Sequence, residues 1–238
     1  GLGQLLAFIT TTLVSGLSVG SNVVMAQLWG ARRYDDAGQA ARHFLGLSIL
    51  ISLGLLTFGL LVNGLAMELL GAQADVIQLA LPYSNLIFLL IPFTILLQVL
   101  SSILQGTGDT KTPMYAMIVV NLLHIAIAIP LIYGHWGLPS LGINGAAIAV
   151  GIAEATGCLY LLTRCRPMLR HAHRFRFDLV RTIWHVGAPV SGERVVQQAG
   201  ILLYTKIVLI YGTVAYAAHQ VGLSIESLSF LSGYGFAI

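Results

Sequence analysis

Three carboxylic acids stand where such a group is expensive to ionise. Glu154, Glu193 and Glu226 each lie inside a long run of apolar residues. A charged side chain in hydrocarbon is costly, so it faces a bundle interior or a watery cavity and is a functional candidate by default. Desolvation raises the pKa of a buried Glu, and a neighbouring cation lowers it. Proton and cation then compete for one carboxylate, which is the chemistry of exchange.

Helical spacing gives two of these acids polar company. Glu193, Gln197, Gly200 and Tyr204 fall at i, i+4, i+7 and i+11, a continuous stripe with Arg194, Gln198 and Thr205 alongside. Lys206 lies on roughly the opposite face and snorkels. His219 and Glu226 are seven apart, hence on one face, with Gly222 between them and Gly233 beyond. Glu226 is about 10 Å deeper than His219. Gln220, Ser224 and Ser227 fill the adjacent face, so the lipid never meets these groups. Asn121 and His124, three apart, also share a face; a lone membrane His is read as a hydrogen-bonded packing residue. Glu154 reads as a partnered or snorkelling structural residue.

Two further polar stripes are Gln4, Thr11, Ser15, Ser18 and Asn22, and Thr94, Gln98, Ser101 and Gln105. Each is either interhelical hydrogen-bond glue or a solvated pathway. Gly16 and Gly20 form a G-x-x-x-G, which lets another helix approach closely. Pro82 and Pro92 should bend their helix.

The elements that position these groups follow from composition. The chain of 238 residues is 57% hydrophobic and 9% charged, against about 25% charged in soluble domains. Charge-poor runs span 2–28, 39–62, 76–104, 114–133, 142–163, 182–210 and 215–238. Each reaches the ~20 residues that cross a ~30 Å hydrocarbon layer. The fold class expected is all-α, a polytopic membrane protein with a helix for each run; a β-barrel would show short alternating segments. No secretory signal is expected, because the first run has no basic start. The ends, Gly1 and an apolar Ile238, read as those of a piece of a longer protein.

Arg32, Arg33, Arg42, Lys111, Arg164, Arg166, Arg170, Arg174, Arg176 and Arg181 follow the first, third and fifth runs; the other connections hold no Lys or Arg. Those three connections are therefore expected to be cytoplasmic. Residues 164–181 form a basic, non-spanning linker between 1–163 and 182–238. It reads as a positive-inside anchor. Cys158 and Cys165 lie about two turns apart on one helix, ~10.5 Å, too far for a disulfide. No metal site is suggested.

Three segments then carry a resemblance. "AQLWGARRYDDAGQAAR" resembles the A-Q-x-x-G-A signature of the multidrug and toxic compound extrusion (MATE) transporters. "LQGTGDTKTPM" is similar to their L-R-G-x-G-D-T-R-T-P-M turn, and "GAPVSGERVVQQAG" with "YGTVAYAAHQVGLSIESLSF" to the opening of their second half. The resemblance implies twelve helices in two six-helix lobes working by alternating access. The seven runs would be the second to eighth of these.

Carried over, Glu193 matches the acid of a P-x-x-x-E motif at Pro189, His219 and Gln220 match A-A-H-Q, and Glu226 matches I-E-S-L-S-F. Asn121 matches the first Asn of an N-x-x-N pattern, and His124 replaces the second. Gln197 stands where one sodium-linked branch has a Glu, so a proton is favoured as the coupling ion, with sodium the other possibility. In the turn, Gly106 and Gly108 allow a tight reversal, Asp109 can bond backbone amides and Pro113 starts the next helix. "GTGDTKT" lacks phosphate-loop spacing and follows a membrane helix.

The function implied is secondary antiport of amphipathic, cationic drugs or metabolites through a cavity lined by the first, sixth and seventh runs. Glu193 would exchange the proton, with Gln197, Gln220 and Tyr204 in polar contact. Glu226 is either a second acidic site or a structural partner of His219. The expected partners are a small-molecule substrate and membrane lipids, with no cofactor and no nucleic acid; the protein is expected to be a monomer in the bacterial inner membrane. The alternative is a lipid-linked saccharide flippase, which would need a more cationic cavity than Arg194 alone supplies. An intramembrane enzyme lacks a metal triad or nucleophile, and a scaffold would leave the stripes idle.

Overall fold

A long apolar sequence in membrane must satisfy its backbone internally, and helices do so within one segment. The computed structural model describes residues 2–69, 74–134, 140–170, 177–210, 219 and 221–227. It holds α1 (Leu2–Gly30), α2 (Tyr34–Leu69), α3 (Ala74–Gly106), α4 (Lys111–Tyr133), α5 (Gly142–Arg170) and α6 (Phe177–Ile210). Residue 219 and residues 221–227 are also helical and belong to α7. No strand occurs among the described residues. Among the described residues, four stretches are long and apolar enough to cross a membrane: Tyr34–Leu65, Leu81–Gly106, Lys111–Tyr133 and Gly142–Leu169.

Every apolar run with a described backbone is helical, and most helices outlast their runs. α2 starts five residues before the run at Gln39 and α5 continues seven past Thr163. An apolar run marks the hydrocarbon crossing, whereas a helix continues until its backbone meets a stop. Residues 164–170 and 177–181 of the basic stretch are accordingly helical. Pro82 and Pro92 lie inside α3, which continues through both.

The chain forms two compact units, residues 1–191 and 192–238, with the boundary inside α6. In the first, α3 touches α1, α2, α4 and α5. Its core gathers toward the end where α1 turns into α2 and α3 into α4: Met25, Phe44, Ile95, Val99, Leu100, Ile103 and Leu161 are all fully buried. Small residues bring the helices together there, Ala37, Ala40 and Ala41 being wholly enclosed. The outer faces are the reverse, with Leu50 70%, Leu61 77% and Ile143 70% exposed. These faces suit a bilayer. A Cβ on Gly187 of α6 would lie 3.1 Å from the carbonyl oxygen of Gly16, so α1 meets another backbone closely at the first glycine of its G-x-x-x-G.

Candidate functional site

The α3–α4 turn is built from backbone bonds that its glycines permit. Gly108, at φ 89°, occupies the left-handed position that ends a helix. Its N–H donates to Gln105 O at 2.9 Å and that of Asp109 to Leu104 O at 3.1 Å, the two bonds of a Schellman ending. Gly106 has another task. A Cβ there would meet the Asn22 carbonyl oxygen and Met25 Cβ of α1, both at 2.6 Å. Pro113 is buried in the first turn of α4, which begins at Lys111, where a missing N–H leaves no bond unmade.

Asp109 caps α4 from outside, its Oδ1 accepting from the Thr112 N–H at 3.0 Å. The Thr112 side chain, the Thr112 backbone N–H and the charge of Arg164 hold this carboxyl below its ordinary 3.8 against the opposing effect of burial. With the folded value depressed, the stabilisation is complete above pH 3.8 and fades as pH falls through the lower value. Asp109→Ala is expected to remove a cap worth about 1 kcal/mol. Amide exchange at Thr112 at neutral pH should lose about fivefold in protection, and unchanged exchange would deny the cap its role. Beside this turn opens a cavity of about 560 Å³, whose lining includes Trp29, Tyr34, Asp35, Asp109, Arg164 and Cys165.

Two sets of polar contacts join helices inside the first unit. Asn63, 2% exposed, donates from Nδ2 to Ser84 Oγ and to Asn85 Oδ1, both at 2.8 Å, joining α2 to α3. Thr94 of α3 donates to Glu154 of α5 at 2.7 Å. This fits the expected partnered role of Glu154. Cys158 and Cys165 are free thiols, and Cys158 Sγ lies 3.2 Å from Phe93 O. Asn121 is exposed and, among the described residues, bonds only the Met117 carbonyl of its own helix, at 2.8 Å. His124, a turn along, is half-buried. Ser18 and Asn22 of the α1 stripe are half-buried, and the side chains of Gln4, Thr11 and Ser15 lie outside the described residues.

In the second unit Glu193, Gln197 and Tyr204 are exposed along α6. The Tyr204 ring meets the His219 ring edge to face, centroids 5.1 Å apart. His219 Nε2 is buried and has no hydrogen-bond partner among the described residues. Glu226 is exposed on α7. Gln220, and the side chains of Arg194, Gln198, Thr205 and Lys206, lie outside the described residues. The α6 stripe and the His219 face of α7 thus touch at Tyr204. The Asn63 cluster was not evident from sequence, because Asn63 follows directly on the run that closes at Val62.

These elements have counterparts in known proteins. The MatE family model matches residues 1–129. The chain belongs to the MatE family. A relative from Thermotoga maritima, "Probable multidrug resistance protein NorM", is 27% identical over 248 residues, covering 100% of this chain and 52% of its own length. One from Bacillus subtilis, "Probable multidrug resistance protein YoeA", is 28% identical, covering 91% and 49%. The Vibrio cholerae MATE transporter VcmN, solved in its bent form, superposes with TM-score 0.83 at 20% identity, over 95% of this chain and 52% of its own. At that identity the likeness concerns the fold. The chain spans about half the length of the curated relatives it matches. The four spans and lipid-suited faces among the described residues accord with a multi-pass membrane protein.

Proposed function

We propose that the protein is a secondary antiporter of the bacterial inner membrane. It exports amphipathic cations in exchange for protons, sodium being the alternative coupling ion. The reading is supported most by the Tyr204–His219 contact, 5.1 Å between ring centroids, in a MatE chain. It joins the stripe of Glu193, Gln197 and Tyr204 to the helix face that bears His219 and Glu226.

Each part has a chemical task in this reading. Aromatic rings attract organic cations through their π faces, which suits Tyr204. Glu193 supplies the charge that proton and substrate share in turn. Gln197 and Gln220 offer hydrogen bonds that do not titrate. Lipid and substrate are the partners, the transporter works as a monomer, and no cofactor or nucleic acid takes part.

The test is transport of a fluorescent amphipathic cation by the full-length protein in proteoliposomes. A pH gradient imposed across the membrane should drive the cation against its own gradient. A sodium gradient of equal size should do so less, and no gradient not at all. Equal rates under all three conditions would contradict antiport.

A further inference from the structure

Glu154 lies near the middle of the apolar stretch Gly142–Leu169 of α5. Among the described residues no cationic side chain comes within ion-pair distance of it. Its hydrogen-bond partner is the Thr94 hydroxyl of α3, at 2.7 Å. That hydroxyl also stands 3.4 Å from the Leu90 carbonyl oxygen.

The titratable surroundings are sparse. α3 brings Thr94, which does not titrate in this range. On α4, Val120 packs where a Cβ on Gly157 would fall, 2.5 Å from its Cγ2. The helices being antiparallel there, His124 stands at the level of Glu154. α2 brings Tyr34, Asp35, Asp36, Arg42 and His43 near its start and Glu68 at its far end. On α5 itself the nearest titratable group is Cys158, one turn on, 3.2 Å from Phe93 O.

A carboxylate at this depth with no counter-charge is relieved by taking a proton. Thr94 accommodates both forms, since a hydroxyl can donate and accept. It donates to the carboxylate when Glu154 is ionised. When Glu154 is protonated, its O–H donates to Thr94 Oγ1 and the threonine proton turns to Leu90 O. Neither state leaves the site without a hydrogen bond, as a purely structural cross-link would not require.

A route to water lies on the same helix. Thr94, Gln98, Ser101 and Gln105 share one face of α3, with Gln98 and Gln105 exposed. The face extends about 16 Å from Glu154 to the α3–α4 turn. We propose that Glu154 is a proton-binding site in the first unit, exchanging its proton along this α3 stripe with water at the turn. That the bound proton serves transport rests on the antiport reading above; that Glu154 binds and releases it does not.

Infrared difference spectroscopy of the full-length protein in lipid, across a pH series, reads the site directly. A carboxylic-acid carbonyl band that titrates in the wild type and is absent in Glu154→Gln is the expected result. Thr94→Val removes the donor that favours the ionised form, so the midpoint should move to higher pH. Identical titrating bands in wild type and Glu154→Gln would overturn the proposal, as would a midpoint indifferent to Thr94→Val. pH-driven export with no Glu154 band would defeat this site and leave antiport standing. A Glu154 band without pH-driven export would do the opposite.

Discussion

Gly106→Ala is expected to destabilise the protein by roughly 1–3 kcal/mol, the range for an overpacked methyl that its surroundings cannot absorb. The added Cβ would lie 2.6 Å from the Asn22 carbonyl oxygen and 2.6 Å from Met25 Cβ, with Ala26 N at 3.2 Å. Two of these atoms are backbone and the third is the root of a fully buried side chain, so no rotamer change clears the space. α1 and α3 must separate at the end of the bundle where the core is densest. Gly54→Ala is the matched control, because nothing lies within 4 Å of a Cβ there. Thermal unfolding of the purified full-length protein in detergent should show a clear loss for Gly106→Ala and little change for Gly54→Ala. Equal unfolding temperatures would mean that the α1–α3 contact is looser than described.

Glycine also shows what was legible in the sequence. "GTGD" announces a reversal, and Gly108, at φ 89°, meets the conformational demand. Gly106 looks equivalent in sequence but serves close approach to α1, which depends on a residue more than eighty positions away. The helices themselves were easier. Seven apolar runs of membrane-crossing length leave the backbone little alternative, and the sequence erred chiefly at their ends.

Partners between helices were harder to read. Thr94 and Glu154 were each marked by polarity inside an apolar run, and helical spacing places each on a face. Spacing within one helix cannot say which residue of another helix lies opposite. The 2.7 Å bond that joins them is a product of α3–α5 packing. Tyr204 and His219 are joined in the same way, across a connection, by ring packing that neither stripe announces alone.

The exchange account rests most heavily on Glu193, whose acid is exposed on the second unit rather than built into a core. Glu193→Gln keeps shape and hydrogen-bonding capacity while removing the proton-exchanging group. The fold should therefore survive, with thermal unfolding close to wild type. The measurement to make is pH-gradient-driven transport of a fluorescent amphipathic cation in proteoliposomes, with full-length wild type beside Glu193→Gln. The account predicts a wild-type rate that follows the pH gradient and a variant rate near that of empty vesicles. Unchanged pH-driven transport in the variant would contradict it, leaving Glu193 a polar packing residue and placing the exchange elsewhere.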